Sequence, residues 1–475
     1  MSAERARETT RDGIAVIGVA CRAAGAHDTT ILWRNLVDGV DALGPSRTSD
    51  DGRRWGVLED IACFDHEFFS MSQADAIQLD PQHRLLLETV WHAFEDAGHI
   101  PGTQPERTTC YVSCGINRYA RLLARNGSPG TQALLGNIPD SLAGLVAYKF
   151  DIQGECLAIQ TACSASLVAV HHAVRGLRNG DTDLAIVASA CLDVPGEPGD
   201  GGTPHPALSP DGRCRPFDAR ANGTVGGDAV AAVILRRARD ASEAGDRIYA
   251  VIHGTAVGND GARRGGFAVP GLHGQTRVVQ DALADAALPA TEIGYVETHG
   301  TGTLIGDAIE IEALQRVYGG ERTTECLLGS IKPNIGHSVT ASGLMALIKV
   351  SLAMAHEELP PTLNFERGNL DCRFDTRPFR VVTERTPWAG NGRYAGISAF
   401  GVGGTNAHVI AGPRRREPAR TRRATAMPVV VSARDDQDLA VVRRRLAEFA
   451  RSERQRAPAA AMPVTVWVQP VLGKR

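Results

Sequence analysis

One cysteine and two histidines stand in settings that suit catalysis. The run Thr161-Ala162-Cys163-Ser164-Ala165-Ser166 follows the apolar stretch Cys156-Leu157-Ala158-Ile159 and precedes the helical pattern of Leu167, Val168, Val170 and Val174. A strand, a tight turn of small residues and a helix would place Cys163 at a helix N-terminus. There the unpaired backbone N–H groups and the helix dipole favour negative charge. Such a setting is expected to lower the thiol pKa and supply a thiolate nucleophile near neutral pH. The first histidine lies in Glu297-Thr298-His299-Gly300-Thr301-Gly302-Thr303, followed by Gly306, Asp307 and Glu310. The second closes Gly329-Ser330-Ile331-Lys332-Pro333-Asn334-Ile335-Gly336-His337. Each of the three sits in a turn rich in small residues beside an apolar strand. Alone, either histidine would more often be a structural one, and the cysteine a small core residue.

The elements that must position them are short apolar strands alternating with helical patterns. Strands are expected at Ile14 to Ala20, Ala185 to Ala188, Val230 to Leu235, Tyr249 to Ile252 and Tyr295 to Glu297. Helices are expected at Arg84 to Ala97, Gln275 to Ala287, Ala308 to Tyr318 and Leu344 to His356. Continuous rather than alternating apolar strands argue for sheets covered on both faces, hence an α/β architecture. A chain of 475 residues suits two or more domains, or one large duplicated domain, although no short repeat is visible. A net charge of -3 gives no reason to expect nucleic acid or an anionic membrane as partner. Only four of the 51 basic residues are lysines, which makes Lys332 inside a motif conspicuous. The ten cysteines are scattered without zinc-like spacing and read as reduced thiols of a cytoplasmic protein, with no metal site. The apolar run from Ile14 is too short for a membrane span and reads as a buried strand. Past Gly412 the stretch 412–427 is basic and reads as a linker. A strand at Pro428 to Ser432 and a helix at Leu439 to Arg451 are expected next, then disorder from Ala457 onward. The roughly 50 residues past the linker are read as too few for a further enzyme domain.

At the three segments the chain resembles the β-ketoacyl synthases, and most of all the ketosynthase domains of modular type I polyketide synthases. Further matching segments are Leu79-Asp80-Pro81-Gln82-His83-Arg84-Leu85-Leu86-Leu87-Glu88, Ser209 to Asp218, and Phe400-Gly401-Val402-Gly403-Gly404-Thr405-Asn406-Ala407-His408. The resemblance covers roughly residues 12–411, preceded by an extension of residues 1–11. It implies the thiolase fold, two similar α/β halves (about 12–265 and 266–411) stacked into five α-β-α-β-α layers. Residues 428–475 would open the linker region that follows a ketosynthase.

The roles it implies are specific. Cys163 would hold an acyl chain as a thioester, electrophilic enough for attack by carbon. His299 and His337 would direct imidazole N–H groups at the enolate oxygen formed when a malonyl thioester loses CO2. Lys332 would sit behind them, paired with Glu310, and Asp307 would cap the helix after His299. The N–H groups of Cys163 and Val402 would form an oxyanion hole, with Phe400 in the same loop and the Val402 side chain gating the acyl channel. Thr301, Thr303, Asn334, Gly403 and Gly404 would contact substrate, while Asn406 and His408 would be structural. No bound cofactor or metal is expected, since substrates ride on the 4'-phosphopantetheine arm of an acyl carrier protein. That protein, a second copy of the chain and other polyketide or mixed peptide–polyketide synthase subunits are the implied partners. The chain departs from the family at Gln160, Asp228-Ala229, Pro333, Val339-Thr340 and the segment Pro195 to Ala207. Pro333 keeps open a second reading, a non-elongating acyltransferase moving acyl groups through Cys163, although such enzymes often lack the second histidine.

Overall fold

The computed structural model describes residues 13–48, 52–125, 127, 130–194, 207–320, 322, 324–388, 393–414, 431, 433 and 435–456. All but Val431 of the expected strand at 428–432, most of the linker and the tail beyond 456 lie outside these residues, as does all but Ala207 of the 195–207 segment.

Among the described residues eleven strands build one large sheet. The first half contributes β1 (Ile14–Ala23), β2 (Thr108–Cys114), β3 (Cys156–Ala158), β4 (Leu184–Cys191) and β5 (Ala229–Arg237). The second contributes β6 (Ala250–Asn259), β7 (Ile293–Glu297), β8 (Cys326–Gly329), β9 (Phe379–Val381), β10 (Tyr394–Phe400) and β11 (Thr405–Gly412). Their lateral order is β9-β8-β7-β10-β11-β6-β1-β5-β4-β2-β3.

The pairings reveal a duplication. From β1 outward, β1–β5 and β5–β4 are antiparallel, then β4–β2 and β2–β3 are parallel. From β6 outward, β6–β11 and β11–β10 are antiparallel, then β10–β7 and β7–β8 are parallel. Each half thus repeats one chain path, and β9 adds a parallel strand outside β8 in the second. The halves meet along a short antiparallel seam, Ile14↔Ile252, Ala15↔Val251 and Val16↔Ala250. The second repeat therefore starts at Ala250, not at the expected 266, because β6 belongs to the second half.

The named helices are α1 (Pro81–Ala97), α2 (Pro139–Phe150), α3 (Ala165–Asn179), α4 (Leu272–Ala286), α5 (Leu304–Tyr318), α6 (Ser342–His356) and α7 (Asp436–Arg456). Leu86 and Phe94 of α1 and Val146 of α2 pack with Ile186 and Ile234 on the outer face of the first half. The alternate residues Val187 and Val233 face inward, where α3 and α6 also meet Ile397 and Val409 of the second half. Val279 of α4 and Leu314 of α5 cover the far side with Val296 and Leu328. Period-two alternation thus gives each half of the sheet two buried faces, and the result is the five-layered thiolase arrangement. Every residue of α6 from Ser342 to Met354 is buried, as expected for a helix apolar all round. The segment Val339–His356 is apolar enough to cross a membrane, but 83% of it is buried inside the protein.

Helix starts lie upstream of the apolar periodicity, and at α1 a cap sets the start. At α1, Asp80 accepts the Gln82 N–H at 2.8 Å and Pro81 takes the first turn, where no intrahelical partner is lost. Met1–Arg414 and Arg415–Arg475 are separate compact units, and α7 is the described helix of the second.

Candidate active site

Cys163 lies in the 3₁₀ turn Ala162–Ser164, which runs directly into α3. Ala162 holds φ +54°, a left-handed conformation that costs a non-glycine residue roughly 1–3 kcal/mol. Surrounding bonds enforce it. Ser164 Oγ donates to the Thr161 carbonyl at 2.9 Å, and Ser342 Oγ reaches the Cys163 carbonyl at 3.3 Å. The Leu344 N–H reaches Ser166 Oγ at 3.1 Å, joining the starts of the two central helices.

The turn lies in the core, and Cys163 is 6% exposed. Burial pushes its thiol pKa up, against the Lys332 charge and the N–H groups of Val402 and Cys163, which favour the thiolate. The net direction is upward, opposite to the sequence expectation, because desolvation outweighs the attractive groups. Those two N–H groups are nonetheless the pair expected to form an oxyanion hole.

His337 Nε2 lies 3.2 Å from Cys163 Sγ. The His299 ring stands at 87° to that of His337, 5.4 Å between centroids. Cys163 Sγ and one ring nitrogen from each histidine all lie within 4.8 Å of one another. Backbone bonds hold both histidines: the His337 N–H donates to the Val225 carbonyl at 2.7 Å, and the His299 N–H to Glu310 Oε1 at 2.7 Å. Burial is the main cause that lowers both ring pKa values, helped by the Lys332 charge, to about 3 for His337 and well below the usual range for His299. Both rings are therefore neutral at pH 7 and carry one N–H each. The Phe400 N–H points at His299 Nδ1 from 3.5 Å, which assigns the ring proton to Nε2. His337 Nδ1 is buried with no hydrogen-bond partner among the described residues, so no bond fixes its tautomer.

Behind the histidines the charges are arranged differently from the expectation. Among the described residues no ion-pair contact joins Lys332 to Glu310. The Glu310 carboxylate instead accepts the backbone N–H groups of His299 and Gly300, at 2.7 and 2.8 Å. Glu310 and Glu297 both attract buried Lys332 electrostatically, although burial still lowers its pKa. Burial raises Glu310 to about 7. Asp307 is not the cap of α5: Thr303 holds that position. Asp307 lies in the first turn and accepts the Phe217 N–H at 2.7 Å and the Gly302 N–H at 3.2 Å.

The close ion pair is one that the sequence reading missed. Lys349 Nζ of α6 lies 2.7 Å from Glu297 Oε2 of β7, both fully buried. The Tyr295 hydroxyl donates to the same carboxylate, and the Ile331 N–H donates to Glu297 Oε1 at 2.8 Å. This links the strand before His299 to the segment leading to His337. The available signal was Lys349 itself, a rare lysine inside an apolar helix.

Pro333 fits its place. It stands in the first turn of the short helix Lys332–Ile335, where its missing N–H removes no helical bond. Asn334 Nδ2 donates to the Val40 carbonyl at 3.0 Å and ties the 40–42 loop to the site, while its Oδ1 is buried with no hydrogen-bond partner among the described residues. Thr301 and Thr303 are half-buried, with their hydroxyls 3.1 Å apart. Asp228, one of the departures, is a buried hub that accepts the N–H groups of Leu58 and Asp193 at 3.0 and 2.7 Å and pairs with Arg47.

The turn between β10 and β11 closes the site. Its Gly401 N–H donates to the Thr405 carbonyl and its Gly404 N–H to the Gly401 carbonyl, both at 2.8 Å. A Cβ on Gly401 would come within 2.5 Å of the Thr161 carbonyl oxygen, so only glycine lets this turn approach the loop that carries Cys163. Phe400 is buried with its ring 5.7 Å from that of His299, whereas Val402 is 53% exposed.

Comparison with known proteins agrees with this geometry. Residues 11–241 match the family described as Beta-ketoacyl synthase, N-terminal domain, and residues 249–366 its C-terminal domain. Residues 369–465 match a Ketoacyl-synthetase C-terminal extension. The chain is 39% identical over 430 residues to a phenolphthiocerol/phthiocerol polyketide synthase protein of Mycobacterium tuberculosis, an alignment covering 84% of the chain and 29% of that protein. It is 38% identical over 465 residues to erythronolide synthase EryA2 of Saccharopolyspora erythraea, covering 92% of the chain and 13% of that protein. The chain thus spans under a third of the length of these multi-domain synthases. Among solved structures, the oxazolomycin ketosynthase domain OzmH KS7 of Streptomyces albus superposes with a TM-score of 0.86 at 37% identity, covering 96% of this chain and 84% of that one. Ketosynthase twelve of the bacillaene polyketide synthase of Bacillus amyloliquefaciens gives 0.85 at 33% identity, covering 95% and 82%.

Proposed function

The chain belongs to the β-ketoacyl synthase family, and we propose that it catalyses decarboxylative Claisen condensation in polyketide assembly, in two stages on one site. In the first stage the Cys163 thiolate attacks the carbonyl of an acyl thioester on a carrier protein's phosphopantetheine arm. The tetrahedral oxyanion accepts hydrogen bonds from the Cys163 and Val402 N–H groups. Collapse expels the arm's thiolate, to which His337 Nε2 can pass the proton it took from Cys163. In the second stage a malonyl-type thioester loses CO2, and its enolate oxygen accepts N–H bonds from neutral His299 and His337. The enolate carbon attacks the acyl-Cys163 carbonyl. The new C–C bond forms as the cysteine thiolate leaves, giving a β-ketoacyl thioester two carbons longer. Thr301 and Thr303 are proposed to contact the arm.

The observation that carries this reading is the Cys163–His299–His337 cluster with both rings neutral. An uncharged imidazole whose Nδ1 is unbonded can accept from the thiol in one stage and donate to the enolate in the next. The test is intact-mass analysis of the protein mixed with acyl- and malonyl-carrier proteins. The extended β-ketoacyl carrier is expected with wild type and not with Cys163→Ala; extension that survives Cys163→Ala would overturn the assignment.

Homodimerisation and a cytoplasmic location are proposed alongside. The outer edge of β3 pairs with no strand among the described residues, and Leu157 on it is 45% exposed, the kind of edge a second copy can cover. All ten cysteines are free, as in a reducing compartment. Light scattering of the purified chain tests the first.

A further inference from the structure

The two oxyanion donors stand in unequal surroundings. The Cys163 N–H belongs to a buried turn that starts a core helix. The Val402 N–H belongs to a turn in which positions 401, 403 and 404 are glycine and Val402 points to solvent. Three glycines bring no side chain to hold the peptide planes and the largest backbone freedom to lose. Within the turn the Gly404 N–H holds the Gly401 carbonyl, on the peptide that carries the Val402 N–H, and something outside the turn must hold the peptides that follow.

The segment after β6 does so. The Asp260 N–H donates to the Gly404 carbonyl at 3.0 Å, and Asn259 Nδ2 reaches Thr405 Oγ1 at 3.1 Å. Asn406 Nδ2 donates to Asp260 Oδ1 at 2.8 Å. These bonds hold the C-terminal side of the turn. The two peptides that follow the donor are held by Arg264. Its Nη1 donates to the Val402 carbonyl at 3.4 Å and its Nη2 to the Gly403 carbonyl at 3.1 Å. The guanidinium lies over the Phe267 ring, 5.2 Å from the centroid, a cation–π contact that restrains its fork. A Cβ on Gly404 would lie 2.6 Å from Arg264 Nη1, so the turn is shaped to receive this side chain.

From this juxtaposition we propose that Arg264 is a positioning residue for the oxyanion hole. By holding two successive carbonyls it fixes the peptide planes that follow the Val402 N–H, and so keeps that N–H aimed at the acyl carbonyl oxygen. The proposal rests on the reading of Cys163 as the acylated nucleophile. Arg264 does not touch the reacting atoms, so its effect falls on the steps in which an oxyanion forms and on no others.

The test compares two reactions of Cys163 in the full-length protein. Acylation by hexanoyl-N-acetylcysteamine, a small thioester without a carrier protein, passes through a tetrahedral oxyanion. Alkylation by iodoacetamide attacks a saturated carbon and needs only a reachable thiolate. Arg264→Ala is expected to slow acylation at saturating thioester by about 10- to 100-fold, with the half-saturating concentration and the alkylation rate within about twofold of wild type. Arg264→Lys, with one ammonium for two carbonyls, should recover part of the rate. Unchanged acylation in Arg264→Ala overturns the proposal, and so does an equal loss in both reactions. An effect confined to acyl groups delivered on a carrier protein would place Arg264 in carrier docking instead, and also overturns it. Wild type that is not acylated at all would overturn the nucleophile reading itself.

Discussion

Burial raises the Cys163 thiol pKa more than the Lys332 charge and two N–H groups lower it. A thiol that titrates above 9 has a thiolate fraction that grows tenfold per pH unit throughout the neutral range. The iodoacetamide rate constant should therefore rise about tenfold per unit between about pH 6.5 and 8.5. A plateau within that window would show a preformed thiolate and contradict the burial argument. The histidines titrate too low to shape this window. Replacing either by alanine removes one enolate donor and should lower condensation by roughly 10²–10³-fold. For His299→Ala, acylation of Cys163 should remain measurable by mass. That Cys163, His299 and His337 come together was legible from their turns only with the family resemblance, since either histidine alone reads as structural. The partner of Lys332 was not, because sequence order cannot say which of several nearby acids a backbone N–H will claim. Glu310 is claimed by the N–H groups of His299 and Gly300, and Glu297 by Lys349.

Between elements, the site depends on two joints. One is the Lys349–Glu297 pair, which ties α6 to β7. Lys349→Met would leave a carboxylate buried without its cation, a change that typically costs about 3–5 kcal/mol. Adding Glu297→Gln should recover much of that loss, as measured by urea unfolding. A single-variant cost below about 1 kcal/mol would show that the pair is not holding the two elements. The other joint is the contact of Gly401 with the Thr161 carbonyl. Gly401→Ala overpacks it, which costs about 1–3 kcal/mol, and should slow acylation more than tenfold by lifting the Val402 N–H from its place. Equal acylation rates for this variant and wild type would contradict the turn's role. Strands and helices were legible from continuous apolar runs and helical periodicity. Their boundaries were less so, because capping residues such as Asp80 lie outside the periodic pattern.

Across the whole molecule, the duplication explains why one cysteine and two histidines far apart in sequence converge. Cys163 precedes the central helix of the first half, and His337 precedes the equivalent helix of the second. His299 follows β7, the counterpart of β2. The repeat was invisible in the sequence because the halves share pairing order rather than residues. The unit Met1–Arg414 contains Cys163, His299, His337 and the whole eleven-stranded sheet. A chain ending at Arg414 should keep the cooperative thermal transition and the Cys163 acylation rate, and loss of either would place part of the fold in residues 415–475. The central claim is that the acyl group on Cys163 is consumed by a decarboxylated extender. The most direct measurement is a single-turnover chase, in which enzyme acylated at Cys163 and freed of excess donor is mixed with malonyl-carrier protein. One CO2 and one β-ketoacyl carrier should appear for each acyl-enzyme lost. Loss of the acyl group without CO2 and without an extended product would contradict condensation.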